Sequence, residues 1–240
     1  MAIGVPTSAF TSVQSISVGL TVSSASFTPT AGSLLTVSGY MREDVGSAAA
    51  PVPTISNTHS GSWSWSSLTR GNTQAQRKRI FAFWSIVPSS PGSGTVTITA
   101  DKNCDEWVLT GWENTGASGT VTNTDTGTGT TSTPANTLPS APATTSYVFG
   151  SVFSDADISG ITPGSGYTEL LEVTPGVISS SFQVQYRTGS TSTTCGWSGA
   201  NTSSNLMITW EVVEGASTSD MPPSLLKRRR CLPRPLALED

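Results

Sequence analysis

The sequence has few charged residues and few of the side chains that most catalytic sites use. Only 12% of its 240 residues are charged, and it contains one histidine and three cysteines. A single histidine argues against a zinc site built from histidine ligands, and the cysteines lack the paired spacing of a metal site. The composition therefore points away from metal-dependent chemistry.

The only histidine, His59, has no catalytic context. The residues around it, 56–61, read SNTHSG, which is typical of a turn. Serine and aspartate are plentiful, but no serine lies in a nucleophile-elbow sequence. We expect His59 to be a surface histidine in a turn, and the protein to be non-enzymatic, with no cofactor and no metal.

The three cysteines are Cys104, Cys195 and Cys231. A disulfide between Cys104 and Cys195 is geometrically possible. The N-terminal residues 1–6 show no basic region followed by an apolar stretch, so no cleaved secretion signal is expected. We expect the chain to be made and assembled in a cytoplasm, where thiols stay reduced.

Long apolar runs and helical patterns are also missing. No segment approaches the roughly 18 consecutive apolar residues that cross a bilayer, so no membrane contact is expected. Serine, threonine and glycine dominate, and apolar residues alternate over short runs such as 13–23 and 94–100. Alternation gives a strand one buried and one solvated face. The sequence predicts an all-β protein, an antiparallel β-sandwich of jelly-roll type.

A faint internal repeat runs from about 27 to 117 and again from about 139 to 216. Both copies contain an apolar run, a Gly-aromatic segment ending in leucine, an aromatic strand and a Trp-Glu closing strand, in that order. These landmarks lie at 31–37, 61–68, 80–84 and 109–113, and again at 144–149, 164–171, 182–186 and 207–211. Such self-similarity predicts two interlocked halves of one sandwich. The strands 80–84 and 182–186 should occupy equivalent places about a pseudo-twofold axis.

Composition divides the chain into an N-terminal arm with an opening strand (1–25), the sandwich (26–216) and a basic, proline-rich tail (217–240). Within the sandwich, 118–138 is predicted to be the crossover between the halves. This crossover lacks apolar anchors, contains TGTGTTSTP at 126–134, and is expected to be flexible. The alternative is an exposed loop that contacts a neighbouring subunit.

Positive charge is concentrated at the end of the chain. The last 20 residues carry a net charge of +3; because the whole chain carries −4, the first 220 carry −7. This asymmetry favours a tail that docks on an acidic surface, such as a neighbouring copy of the domain, although a disordered terminus is an equal alternative. Nucleic acid is the weakest candidate partner because the acidic body repels it. The tail residues predicted to bind a partner are Lys227, Arg228, Arg229 and Arg230.

A second basic run, Arg77, Lys78 and Arg79, precedes the aromatic strand 80–84. Three adjacent cations could grip an acidic partner or a phosphate. A charged strand end that blunts edge pairing is the simpler interpretation.

Carboxylates form two small clusters and one matched pair. Carboxylate oxygens suit Ca²⁺, but neither cluster has the spacing of a complete binding loop, so solvated loop charge is the simpler interpretation. The clusters are Asp155 with Asp157, and Asp101 with Asp105 and Glu106. Glu113 and Glu211 match between the copies, as in a paired-carboxylate hydrolase. Each follows a strand tryptophan, and an outward-facing strand residue explains it more simply.

Tryptophans are numerous for a chain of this length. Strand aromatics usually fill a sandwich core, and we predict this for Trp84, Trp112 and Trp210. Trp63 and Trp65 lie two positions apart on one face. If exposed, they could stack on sugar rings as in a carbohydrate-binding module.

Several segments together resemble a loose group of tailed-bacteriophage structural proteins. They are SFTPTAGSLL at 26–35, IFAFW at 80–84, GTVTITA at 94–100 and TWEV at 209–212. The resemblance covers about residues 13–216, carries no invariant signature, and does not include the basic tail. Members of the group are jelly-roll or sandwich domains that decorate capsids or form part of tails and fibres.

The resemblance implies a component of the virion that is assembled in the host cytoplasm. It favours a capsid decoration, or cement, protein that binds neighbouring major capsid proteins and copies of itself, as a homotrimer. The alternative is a carbohydrate- or receptor-binding domain of a tail or fibre, which would use Trp63 and Trp65. The group supplies no catalytic residues.

Overall fold

The computed structural model describes residues 2–43, 49–71, 77–155, 160–173, 180–189, 191–200, 202 and 204–215. The predicted tail site at Lys227–Arg230, together with Cys231 and Asp157, lies outside the described residues. All regular elements of the described part are strands. The predicted all-β class is therefore confirmed.

Fifteen strands follow one another in the described residues. Their bounds are β1 Thr7–Ser15, β2 Gly19–Ser23, β3 Leu34–Glu43, β4 Pro53–Asn57, β5 Ser66–Gly71, β6 Lys78–Ile86, β7 Val96–Asn114, β8 Ala117–Gly129, β9 Ala135–Thr137, β10 Tyr147–Ser154, β11 Thr162–Pro163, β12 Thr168–Val173, β13 Ser181–Thr188, β14 Thr194–Ser198 and β15 Asn205–Glu214.

The strands form two central five-stranded sheets that have the same internal order. The first runs β1-β7-β3-β6-β5, and the second runs β8-β15-β10-β13-β12. All pairings are antiparallel. The sheets pack face to face, which confirms the predicted antiparallel sandwich. The finer jelly-roll assignment stays a prediction.

Each central sheet also carries a small outer layer. In the first half, the N-terminal part of β7 leaves the central sheet and pairs with β2 and β4. In the second half, β14 pairs with β9 and β11. The result is four stacked layers of three, five, five and three strands, with the five-stranded sheets in the middle.

Side-chain alternation fills three separate cores between these four layers. The largest lies between the two central sheets and includes Trp84, Trp112 and Trp210, as predicted for these three. The other two cores lie under the outer layers and include Leu35 in the first half and Val152 in the second. Because β3 and β10 are buried on both faces, neither shows the apolar-polar alternation of a half-exposed strand.

The sequence repeat corresponds to matched positions in the two central sheets. In each sheet, three cross-strand neighbours form one row from the aromatic strand, through the central strand, to the closing strand. The equivalent rows are Trp84–Thr36–Trp112 and Tyr186–Phe149–Trp210. The predicted equivalence of the strands 80–84 and 182–186 is confirmed.

Equivalent residues of the two halves also contact each other across the middle of the protein. Three such pairs are Ser38 with Ser151 (hydroxyl oxygens 3.1 Å apart), Tyr40 with Phe153 (ring centroids 4.7 Å apart) and Trp112 with Trp210 (centroids 6.3 Å apart). A residue meets its own equivalent only near a symmetry axis. The halves are therefore related by a pseudo-twofold axis that runs between the central sheets.

The repeat begins earlier in the structure than the sequence suggests. The first half spans β1 to β7 and the second spans β8 to β15, so the join is the two-residue turn at 115–116. The prediction of a flexible crossover at 118–138 is wrong, because residues 118–129 belong to β8, which pairs with β15, and residues 135–137 form β9. Backbone pairing with β15 holds this strand in place, together with Ala117 and Val121, which pack against the central core.

Candidate functional site

Glu113 and Glu211, which occupy equivalent positions in the two halves, each stabilise a turn before the central strand of their half. Glu113 is 7% exposed, and its Oε2 accepts hydrogen bonds from the Thr30 amide (2.8 Å) and the Ser33 hydroxyl (3.0 Å). The Ser33 amide in turn donates to the Thr30 carbonyl oxygen, which closes the turn before β3. A carboxylate that accepts buried N–H and O–H groups stabilises the turn that supplies them.

The second half repeats this arrangement. Glu211 Oε1 accepts a hydrogen bond from the Ala143 amide (2.7 Å), and the Ser146 amide donates to the Ala143 carbonyl oxygen. The prediction that Glu113 and Glu211 face outward is wrong, because both are buried beneath these turns. The sequence signal for these two turns was missed. In each half, a proline is followed by three residues and then a serine, directly before the central strand.

A buried charged network joins the two halves at one end of the central sheets. Lys78 of β6 is fully buried, and its ammonium group donates to Asp155 and, at 3.3 Å, to the Ser180 hydroxyl. The same ammonium lies 4.9 Å from the ring centroid of Phe153. Burial lowers the pKa of Lys78, and the neighbouring Asp155 opposes that shift. Lys78 therefore links the halves through an ion pair.

The adjacent part of the network lies within the first half. Arg42 makes a two-pronged ion pair with Asp105 (2.8 and 2.9 Å) and reaches Glu106 at 2.7 Å. Glu106 also accepts a hydrogen bond from the Tyr40 hydroxyl, and burial raises the pKa of Tyr40. The interpretation of Asp105, Glu106 and Asp155 as solvated loop charge is wrong, because each is ion-paired.

The basic run at Arg77, Lys78 and Arg79 does not present three cations on one surface. Its residues alternate across the strand, so Lys78 points into the buried network. Arg77 lies 3.7 Å from Glu43, and Arg79 donates to the Thr69 hydroxyl at 3.2 Å. The edge-blunting interpretation is wrong, because β6 lies between β3 and β5. Lys78 is buried and does not belong to a surface that a partner could contact. Partner binding by Arg77 and Arg79 stays a prediction.

Cys104 and Cys195 lie in different cores and do not form a bridge. Cys104 is buried in the outer core of the first half and Cys195 in that of the second. Burial raises the pKa of Cys104 to about 12, which keeps this thiol protonated and unreactive at neutral pH. Within the described ranges, no three His, Cys, Asp or Glu side chains cluster as metal ligands would.

His59 belongs to a row of aromatic rings on the outer core of the first half. Its ring contacts Phe27 (centroids 4.6 Å apart) and Trp63 (5.5 Å), and its Nε2 lies 3.1 Å from the Phe27 carbonyl oxygen. The prediction of a surface turn histidine is wrong, because the side chain is only 6% exposed. Burial lowers the pKa of His59, so the ring is neutral at pH 7.

Trp63 and Trp65 continue this row and are half-buried. Their rings stack with centroids 5.5 Å apart and an interplanar angle of 13°. Stacking covers one face of each ring, which leaves only the opposite faces for a sugar. Glycan binding by these two residues stays a prediction.

The two outer layers give the protein two equivalent faces that point in opposite directions. The face of the first half carries hydroxyl side chains, including Ser23 and Thr97, whose oxygens lie 2.7 Å apart, and the exposed Thr54. The face of the second half carries Thr137 and Thr194, both exposed.

Comparison with protein-family models, curated proteins and solved structures found no match to this chain. The part of the chain that the structure describes contains no helix with the length and apolar character to span a membrane.

Proposed function

We propose that this chain is a non-enzymatic structural protein of a virion. In this proposal it is a decoration protein that stabilises the head of a tailed phage, as a homotrimer, by binding neighbouring major capsid proteins. The virion setting rests on the sequence resemblance at 26–35, 80–84, 94–100 and 209–212. The mode of action rests on the architecture.

The observation that carries the mode of action is the pair of equivalent outer faces. The pseudo-twofold axis places one face on each side of a body whose largest core lies between the halves. Two faces fixed at a constant spacing can contact two neighbouring subunits at once. The second contact then forms at high effective concentration, so weak contacts add to firm attachment. This geometry suits a clamp between subunits of a shell.

Charge placed on each face tests this bivalent attachment. Thr54→Lys alters the face of the first half and Thr194→Lys that of the second; both residues are exposed. We expect each single variant to weaken binding to heads that lack the protein by about tenfold, and the double variant to weaken it by about 10²-fold or more. Binding is measured by co-sedimentation of labelled protein with such heads.

Thr120→Lys is the matched control, because Thr120 is exposed on the edge strand β8, away from both faces. It should bind as the unmodified protein does. Full binding by the double variant would overturn the bivalent attachment. Binding that is lost in one single variant and unchanged in the other would show a one-sided contact instead.

A further inference from the structure

Lys78 and Asp155 belong to different halves of the protein and are in direct contact, although they lie 77 positions apart in the chain. The Lys78 side chain is fully buried, and its Nζ donates a hydrogen bond to Oδ1 of Asp155. Lysine is rarely buried, because its ammonium group then loses the surrounding water. The contact therefore places an amine nitrogen beside a carboxyl group, in a site that excludes water from the amine.

The surroundings of this pair are aromatic. The Phe153 ring centroid lies 4.9 Å from Nζ of Lys78, and the Tyr40 ring packs on Phe153 and Phe182, with centroids 4.7 Å and 5.9 Å away. Burial lowers the pKa of Lys78. A proton shift along the hydrogen bond to Asp155 converts the two charged groups into a neutral amine and a neutral carboxylic acid. A neutral amine is a nucleophile, whereas an ammonium group is not.

A chain of hydrogen bonds leads from the amine to a buried carboxylate. Nζ of Lys78 donates to the Ser180 hydroxyl at 3.3 Å, and Ser180 is hydrogen-bonded to the Tyr40 hydroxyl. The Tyr40 hydroxyl donates to Oε1 of Glu106, which is fully buried. Linked hydrogen bonds of this kind can take a proton from the amine and return it to a nearby oxygen.

We propose that Lys78 and Asp155 condense into an amide bond that joins the two halves covalently. The ammonium group first gives one proton to the Asp155 carboxylate. The lone pair of Nζ then forms a bond with Cγ of Asp155. A second Nζ proton enters the hydrogen-bond chain at Ser180 and returns from it to the departing hydroxyl group, the Cγ–O bond breaks, and one water leaves. The proposal does not depend on a virion function.

Two features of the site favour this condensation. Fixed contact between the reacting groups replaces a bimolecular encounter, and well-oriented pairs reach effective molarities of about 10⁵–10⁸ M. The amide is neutral, so its formation removes two charges from a site where they are costly. The Asp155 side chain is 27% exposed, which gives the released water a way out. Molecules in which the bond has not formed keep the ion pair, and unfolding measurements on Lys78 variants compare with these molecules.

Symmetry limits the reaction to one bond in each chain. The pseudo-twofold axis relates Asp155 to Arg42 and Lys78 to Ser180. A guanidinium group and a hydroxyl group cannot form this amide. The proposal therefore predicts the loss of one water for each chain.

Mass spectrometry of the intact, full-length protein tests the proposal. We expect a form whose mass is lower, by one water, than the mass calculated from the sequence. Lys78→Met and Asp155→Ala should each abolish this loss. Lys102→Met is the matched control, because it makes the same substitution at a lysine that donates to the Ala49 carbonyl oxygen instead, and it should keep the loss.

Peptide mapping of the unmutated protein gives a second measurement, which does not require any variant to fold. Protease digestion should yield a branched peptide in which Lys78 is joined to Asp155. An intact mass equal to the calculated mass would overturn the proposal. A loss of water that persists in Lys78→Met would also overturn it, because such a loss would come from another dehydration, such as a cyclic imide at an aspartate.

Discussion

Replacement of Trp210 with alanine is expected to lower the free energy of unfolding by about 3–5 kcal/mol. Trp210 is fully buried in the core between the two central sheets. Its ring stacks on Phe149 (centroids 5.6 Å apart) and on its own equivalent, Trp112. Alanine would leave a cavity at the place where the halves meet. Urea unfolding, followed by circular dichroism, measures the loss.

A double-mutant cycle separates the contact between halves from burial alone. Because Trp112 and Trp210 touch, the effects of Trp112→Ala and Trp210→Ala should differ from additivity by at least about 0.5 kcal/mol. Trp197 is the control, since it is buried in the outer core of the second half. Trp112→Ala and Trp197→Ala should add. Strict additivity of the Trp112 and Trp210 variants would contradict a shared core.

Removal of the buried lysine is expected to have the second largest effect. Lys78→Ala deletes a fully buried side chain and leaves Asp155 without its ion-pair partner in β6. We expect a loss of about 3 kcal/mol in the free energy of unfolding. The same urea unfolding experiment measures it.

Lys78→Met distinguishes packing from charge. Methionine keeps most of the buried stem and removes the cost of burying an ammonium group, and water can solvate the unpaired Asp155, whose side chain is 27% exposed. The free energy of unfolding should therefore lie within about 1 kcal/mol of that of the unmodified protein. If Lys78→Met were as destabilising as Lys78→Ala, the ion pair itself would hold the halves together, and packing of the stem would be secondary.

The sequence was sufficient to predict the fold class and the equivalence of the aromatic strands. The landmarks at 80–84 and 182–186 both carry aromatic residues because these strands are buried: Trp84 and Phe182 face the largest core, and Phe81 and Phe83 face the outer core of the first half. The opening strands of each half were harder to match. β8 is an edge strand of threonines and glycines, so its backbone pairing with β15 leaves little trace in the pattern of apolar residues.

The errors at individual residues share one physical cause, which is the stacking of four layers. A strand buried on both faces places polar residues in the interior, where each needs a specific partner. Lys78 finds Asp155 in the other half, and Glu113 finds the turn that begins at Thr30. His59 is covered by Phe27, which lies 32 residues earlier. None of these partners is close in sequence, so the local pattern suggested exposed residues.

Cryo-electron microscopy of purified virions tests the proposed role most directly. We predict density for this protein on the head, with its two outer layers against two neighbouring major capsid proteins. Density confined to the tail or its fibres, or heads that carry none of the protein, would contradict the proposal.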